Sequence, residues 1–261
     1  MLNKNNNIYL VIIIVIVLFS CLSFPMAANQ LTANEIIDKV KEKQPDSKNS
    51  KTQAEMILID KDSEEETREI IMFEQEEGND KITMLMRFLS PKSVAGVTLL
   101  SIENGDKIYL YMPAYQKPRR IAGSSRQENF MGTDFSYEDL SMDYQNDDYA
   151  KEILEETNEQ YVLEILPDDE GLSYSKFILY VNKQQFYIEK VEFYDLDGQH
   201  TKTLEIKEVK FDEEGKFTPM KMQLNNLTDN HQTQMNIKEI EYDLDLSSSF
   251  FSIRTLQKPV L

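Results

Sequence analysis

From Lys51 almost to the C-terminus, apolar residues recur at every second position in short stretches broken by Asp, Glu, Asn and Gly. A period of two marks a strand with one buried face, because successive side chains point to opposite sides of a sheet. Ile82, Met84, Met86 and Phe88 share one such face; Met220, Met222 and Leu224 share another, with Lys221, Gln223 and Asn225 opposite. Segments of this kind near 53–61, 67–75, 81–89, 97–103, 106–112, 151–156, 160–167, 174–182, 186–194, 201–211, 217–226 and 233–243 predict about ten to twelve strands. Asn104-Gly105, Asp197-Gly198 and Glu214-Gly215 suit tight hairpin turns, so consecutive strands should pair antiparallel.

Two late strands change phase partway. Leu204 and Ile206 give way to Val209 and Phe211, and Met235 and Ile237 to Ile240 and Tyr242. A one-residue shift of the buried face is what a β-bulge produces, and bulges bend a sheet. Ahead of the strands, Thr32-Ala33-Asn34-Glu35 has the form of a capping box, followed by Ile36, Ile37 and Val40 at helical spacing. A helix over 33–44, ended near Pro45, is expected. No Pro/Gly/Ser-rich linker and no repeat interrupts the pattern, so 29–261 reads as one domain. The expected fold class is α+β, mostly β: a strongly curved antiparallel half-barrel with an N-terminal helix.

The strand Lys107-Ile108-Tyr109-Leu110-Tyr111-Met112 is apolar on both faces, so both must be covered. Beyond it the alternation lapses from 113 to 148, and this insertion is the natural cover. Loops of such length usually carry function or helices.

The first residues read as an export signal. Lys4 lies in a short polar start, an apolar run extends from Ile8 to Phe19, and small residues close it at Met26-Ala27-Ala28. The run is short for a spanning helix, which needs roughly 20 residues. A leader over 1–28 and a periplasmic or secreted location are therefore expected. Leu18-Phe19-Ser20-Cys21 is also close to a lipoprotein-processing signal, which makes Cys21 a lipidation candidate and a membrane-tethered lipoprotein the alternative location. As the one cysteine of the chain, Cys21 rules out an intramolecular disulfide and a cysteine-based zinc site.

Lys and Arg total 28 against 46 Asp and Glu, a net charge of -18. Removal of a leader whose one charge is Lys4 gives -18 - 1 = -19. Such a surface disfavours nucleic acid as a partner and general adhesion to anionic membranes. No Gly-x-Ser-x-Gly, His-x-x-x-His or Gly-rich phosphate loop occurs, and the two histidines, His200 and His231, stand far apart. The acidic pairs Asp147-Asp148 and Asp168-Asp169 lack the spacing of a calcium loop. No enzyme, metal or cofactor is expected.

The residues that stand out lie between Leu89 and Leu140. They are Pro91 and Gly96, the Lys107–Pro113 strand, the cations Lys117, Arg119, Arg120 and Arg126, and Asn129-Phe-Met-Gly-Thr-Asp-Phe-Ser-Tyr-Glu-Asp-Leu140. This run resembles the LolA-like outer-membrane lipoprotein-sorting family, in the branch that carries a Phe-Met-Gly-(Ser/Thr)-Asp-Phe-Ser-Tyr-Glu-Asp-Leu signature. The resemblance implies a half-barrel closed by helices or a helical and loop lid, with an apolar cavity for acyl chains. It also implies work as a carrier of lipoproteins or lipids towards the outer membrane. Implied partners are an inner-membrane transporter (an ABC lipoprotein exporter or an RND-type one) and an outer-membrane acceptor. The alternatives are a lipid-binding accessory or sensor module of an RND-type exporter or membrane complex and, third, a lipid-cleaving enzyme.

On this reading Met84, Met86, Phe88, Tyr109, Tyr111, Phe130, Met131, Phe135, Tyr137 and Leu140 are the acyl-facing candidates. The lid aromatics either face a chain or simply fix the lid as core. Lys117, Arg119, Arg120 and Arg126 either meet a head group or partner through charge-assisted bonds or neutralise neighbouring carboxylates. Thr133 or Ser136, the latter with Asp139, is expected to cap a short helix. Twelve methionines and no tryptophan give an adaptable interior.

Overall fold

The computed structural model describes residues 30–77, 81–168, 171–247 and 249–258; the export signal and Cys21 lie outside them. Thr32–Leu261 forms one compact unit. Among the described residues no helix is long and apolar enough to cross a membrane.

Helix α1 (Ala33–Glu42) begins on the capping box that its sequence predicts: the Thr32 hydroxyl accepts from the Glu35 N–H, and the Glu35 carboxylate accepts from the Thr32 N–H. Ile36, Ile37 and Val40 are buried. Among the described residues thirteen strands follow. The first six are β1 (Asn49–Ile59), β2 (Glu65–Glu77), β3 (Lys81–Ser90), β4 (Thr98–Ile102), β5 (Lys107–Tyr111) and β6 (Arg119–Ile121). The second series is β7 (Ala150–Glu156), β8 (Gln160–Leu166), β9 (Tyr174–Asn182), β10 (Ile188–Asp195), β11 (His200–Phe211), β12 (Phe217–Asn226) and β13 (His231–Tyr242).

All thirteen belong to one antiparallel sheet in the order β6-β5-β4-β3-β2-β1-β13-β12-β11-β10-β9-β8-β7. Each half is a local meander, and the two meet where β1 pairs with β13, Ser50 opposite Tyr242 and Ile59 opposite Gln232. The register slips where the phase changes predict: between Ile206 and Val209 on β11, and at Gln53/Ala54 against Glu239 and Ile237. These bulges add local twist, and thirteen twisted strands curl into an open half-barrel.

The sheet has a different covering on each face. On the concave face Ala54, Met56, Ile70, Met84, Met86, Phe88, Leu99, Ile108, Leu110 and Met235 form one cluster with Phe130 and Tyr137 from the 122–149 segment. On the convex face Phe73, Leu85, Leu100, Tyr109 and Tyr111 pack with Leu246, Phe250, Phe251 and Leu256. The two-faced strand β5 is thus covered by the insertion on one side and by the C-terminal tail on the other. Tyr109 and Tyr111 accordingly lie on the convex face, opposite the acyl-facing position that the resemblance implies. The physical reason is parity: with Ile108 and Leu110 inward, the residues between them must point outward.

Arg87, buried on the same convex side, anchors the tail. Its guanidinium donates to the Thr98 hydroxyl at 2.8 Å and to the carbonyls of Thr255 and Leu256 at 3.3 and 3.1 Å. Leu256 is fully buried beneath it. Leu256→Ala should lower the unfolding free energy by about 2–4 kcal/mol, measurable in urea; a change below about 0.5 kcal/mol would show that the tail contributes little.

Candidate functional site

The edge strands β6 and β7 are consecutive in the chain, so the segment from 122 to 149 has to run from one margin of the half-barrel to the other. It crosses over the concave face. It contains two 3-10 turns, Gly123–Gln127 and Phe130–Gly132, and no α-helix. Ser136 and Asp139 do exchange the reciprocal bonds of a capping box at 3.0 and 2.8 Å, but only a turn follows. Thr133 turns inward and donates to the Phe130 carbonyl at 2.8 Å.

Phe130 is the centre of this lid. Its ring is fully buried, stacks on Phe88 with centroids 5.4 Å apart, and meets Tyr137 edge-on at 5.5 Å. Met131 and Leu140 pack against the same cluster. Of the acyl-facing candidates, Met84, Met86, Phe88, Phe130, Met131, Tyr137 and Leu140 are brought together on the concave face. Phe135 is half-buried and contributes through its backbone, its carbonyl accepting from the Phe130 N–H at 2.7 Å.

Discrete polar ties, not strand pairing, hold the lid to the wall. The buried Asp134 carboxylate accepts from the Thr233 hydroxyl at 2.7 Å and lies 2.7 Å from His231 Nδ1, both on β13. Arg68 on β2 donates to the Met131 carbonyl at 2.6 Å while its guanidinium covers the Phe88 ring. Asp139 accepts from the Tyr174 hydroxyl and the Lys202 ammonium, each at 2.6 Å. Glu138 accepts from the Ser173 N–H at 2.8 Å. Beyond them Lys41 of α1 pairs with Asp147 at 2.8 Å. Gly105, at a φ of +86°, lets the lid sit on the β4–β5 turn: a Cβ there would come within 2.7 Å of the Ser141 Cβ.

The basic run divides. Lys117, Arg119 and Arg120 are exposed on or beside the edge strand β6, and Arg119 also bonds the Tyr137 hydroxyl. Arg126 is half-buried beside Gly105. The cations therefore form no single patch: Lys117 and Arg120 stand exposed, whereas Arg119 and Arg126 lie against the lid.

The sequence reading missed the wall residues that anchor the lid, Arg68, Thr233, His231, Tyr174 and Lys202. Each sits in an ordinary strand, and its partner lies from 35 to 99 residues away. One available signal was Asp134 itself, a carboxylate set between the aromatic residues Phe130 and Phe135. Glu74 on β2 was also missed. It points to the concave side, where burial pushes its carboxyl above the usual carboxylate range against a hydrogen bond from Ser50. Burial raises Glu138 in the same way, and pushes the Tyr144 phenol up to about 12.

Small cavities remain around the lid. One of about 180 Å³ lies between Met84 and Leu140, and one of about 120 Å³ between Val191, Leu204, Phe217 and Gln145. Both are smaller than the roughly 300–1,000 Å³ of usual ligand pockets. A larger recess, about 690 Å³, is an open groove among Lys210, Asp212, Lys216 and Lys238, too polar for an acyl chain. Among the described residues no group of three or more His, Cys, Asp or Glu is placed to hold a metal ion.

Two variants test these assignments. Asp134→Ala leaves the buried Thr233 hydroxyl without its acceptor, at a cost of about 1–3 kcal/mol. It should raise amide exchange across the lid while leaving the β8–β10 strands protected; unchanged lid exchange would refute the anchor. Glu74→Gln bears on pH. Because Glu74 is raised in the fold, its protonated form is favoured there; that contribution is complete below the ordinary carboxylate range and lost as pH rises through the raised value. Glu74→Gln should therefore raise the melting temperature at pH 8 and narrow its rise between pH 8 and 5, and an unaltered pH profile would count against a buried Glu74.

Comparison with known proteins agrees with this architecture. A family model described as that of an uncharacterized protein matches residues 79–258. No curated protein matches. Among solved structures, an outer membrane lipoprotein-sorting protein domain from Vibrio parahaemolyticus is 28% identical with a TM-score of 0.80, over 87% of this chain and 98% of that one. A DUF1329 family protein from Desulfovibrio piger is 24% identical with a TM-score of 0.78, over 86% and 98%. A LolA superfamily protein from Nitrosomonas europaea is 20% identical with a TM-score of 0.69, over 85% and 98%. With its half-barrel and the lid across it, the chain belongs to the family of uncharacterized proteins whose model matches residues 79–258 and has the LolA-like fold, similar to the outer membrane lipoprotein-sorting protein domain.

Proposed function

We propose that this protein is an extracytoplasmic carrier that takes acyl chains of lipoproteins or lipids into its half-barrel and passes them towards the outer membrane. The observation that carries this reading is the lid: the apolar concave face is occupied by a segment of the chain itself, held by separate polar ties. Support also comes from the sorting-protein domain of Vibrio parahaemolyticus, which shares the fold over nearly its whole length.

The energetics require such a device. A buried methylene is worth about 0.8 kcal/mol, so one chain of ~16 carbons contributes on the order of 12 kcal/mol before costs. Held in a cavity that stands open and dry, cargo with several chains would not be released. If cargo displaces Phe130, Met131, Tyr137 and Leu140, it gains only the difference between its own contacts and theirs. Methionines at 56, 72, 84, 86, 222 and 235 line the exchange surface with side chains that repack readily. The cavities around the lid are too small for an acyl chain, so entry requires the lid to move.

Delivery implies a donor and an acceptor. On this reading an inner-membrane transporter, either an ABC lipoprotein exporter or an RND-type one, loads the protein after the leader over 1–28 is removed. An outer-membrane acceptor unloads it. The protein acts as a binding partner, not an enzyme.

A double variant, Asp134→Cys with Thr233→Cys, tests the exchange. Reduced protein should bind a fluorescent fatty-acid or lipopeptide probe in one saturable site. Protein oxidised to the disulfide should bind at least about tenfold more weakly, a loss of about 1.4 kcal/mol. Equal binding in both states would sink lid exchange, and no binding at micromolar protein in either would sink the carrier reading.

A further inference from the structure

The cavity of about 180 Å³ beneath 140–145 differs from the rest of the concave face in having a polar floor. Cross-strand register explains how it arises. Ser50 on β1 stands opposite Glu74 on β2, Glu74 opposite Met84 on β3, and Met84 opposite Ser101 on β4. This single row, about 4.8 Å per strand, puts a carboxyl and a hydroxyl on either side of a methionine, all facing the same cavity. Ser101 is 1% exposed, and its hydroxyl has no hydrogen-bond partner among the described residues. A buried, unpaired hydroxyl costs stability and is rarely left so without a reason. Its position on the cavity wall supplies one.

The remaining lining sets the class of ligand. Ile82, Leu140 and Met142 form apolar walls, while Glu74 and Asp143 are the charged residues and no Lys or Arg lines the cavity. A carboxylate or phosphate seated against Ser101 would meet the Glu74 carboxylate across Met84 with no cation in the lining to offset it, which is unfavourable in a partly desolvated space. An ester, amide or hydroxyl meets no such penalty, and it can accept from Ser101 or bond to Glu74. The volume exceeds what one water molecule needs several times over, but it cannot take a whole acyl chain. We propose that the Glu74–Ser101 row is a subsite for the uncharged polar linkage of acyl cargo, the ester, amide or hydroxyl-bearing group next to the chain, and that it selects against free fatty-acid anions. This rests on the carrier reading and names the cargo class that its site prefers.

Isothermal titration of the protein with 1-lauroylglycerol and with laurate at pH 8 tests this, with circular dichroism to show that each variant is folded. The wild type should bind 1-lauroylglycerol about tenfold or more tightly than laurate, the scale of one hydrogen bond lost together with one unfavourable charge contact. Ser101→Ala should weaken 1-lauroylglycerol a few-fold and leave laurate unchanged. Glu74→Gln, which removes the negative charge and keeps the shape, should bring the two lipids to within about threefold. Equal affinities in the wild type, or a preference untouched by both variants, would overturn the subsite while leaving the carrier standing. Failure of both lipids to bind would overturn the carrier reading, and the subsite with it.

Discussion

Everything in this structure follows from how the sheet ends. The two margins of the half-barrel, β6 and β7, are neighbours in sequence, so the chain that joins them cannot stay on the outside of the fold without leaving the concave face bare. Crossing that face, it meets the side chains that an alternating pattern has turned inward, and it has to supply apolar groups there. Phe130 stacked on Phe88 is the product of that requirement. So is the separation of duties within the lid, with aromatic and methionine side chains filling the interior while Asp134, Glu138 and Asp139 reach outward to fixed partners on the wall. A cover attached in this way can be strong in sum and still detach piece by piece.

Much of this could be read from the residues alone, because the signals are short-range. Alternation located the strands, phase changes located two of the register shifts, those on β11 and at the β1–β13 pairing, and Thr32 with Glu35 fixed the start of the helix. The strand Arg119–Ile121 escaped because three residues, two of them arginine, carry no alternation; its pairing with β5 exists because the chain is already turning back there. The lid's identity was legible through its signature, its conformation less so, since Ser136 and Asp139 form a helix cap without a helix. The tail was missed as the convex cover because Leu246, Phe250, Phe251 and Leu256 have no regular spacing. That cover is what sends Tyr109 and Tyr111 to the far side. The anchors and the Glu74–Ser101 row depend on register between strands distant in sequence, and no local pattern encodes register.

The lid also explains the unusual composition of the wall. A permanent core gains from branched, well-defined side chains. This one uses methionine at many of the positions that face the lid, side chains that repack readily around whatever fills the space. The carboxyl groups of Glu74 and Glu138, held above their ordinary range by burial, are costs that a purely structural interior would shed.

The pairing of β1 with β13 has a consequence for how the molecule comes into being. Each meander contains only neighbour-to-neighbour contacts and can form as soon as its own residues are present, whereas the central seam joins strands almost two hundred residues apart. Long-range pairing of this kind is slow to form. Until β13 has been made, β1 has no second partner and the helix-side and lid-side halves are separate pieces, so the chain stays loose until its last strand arrives.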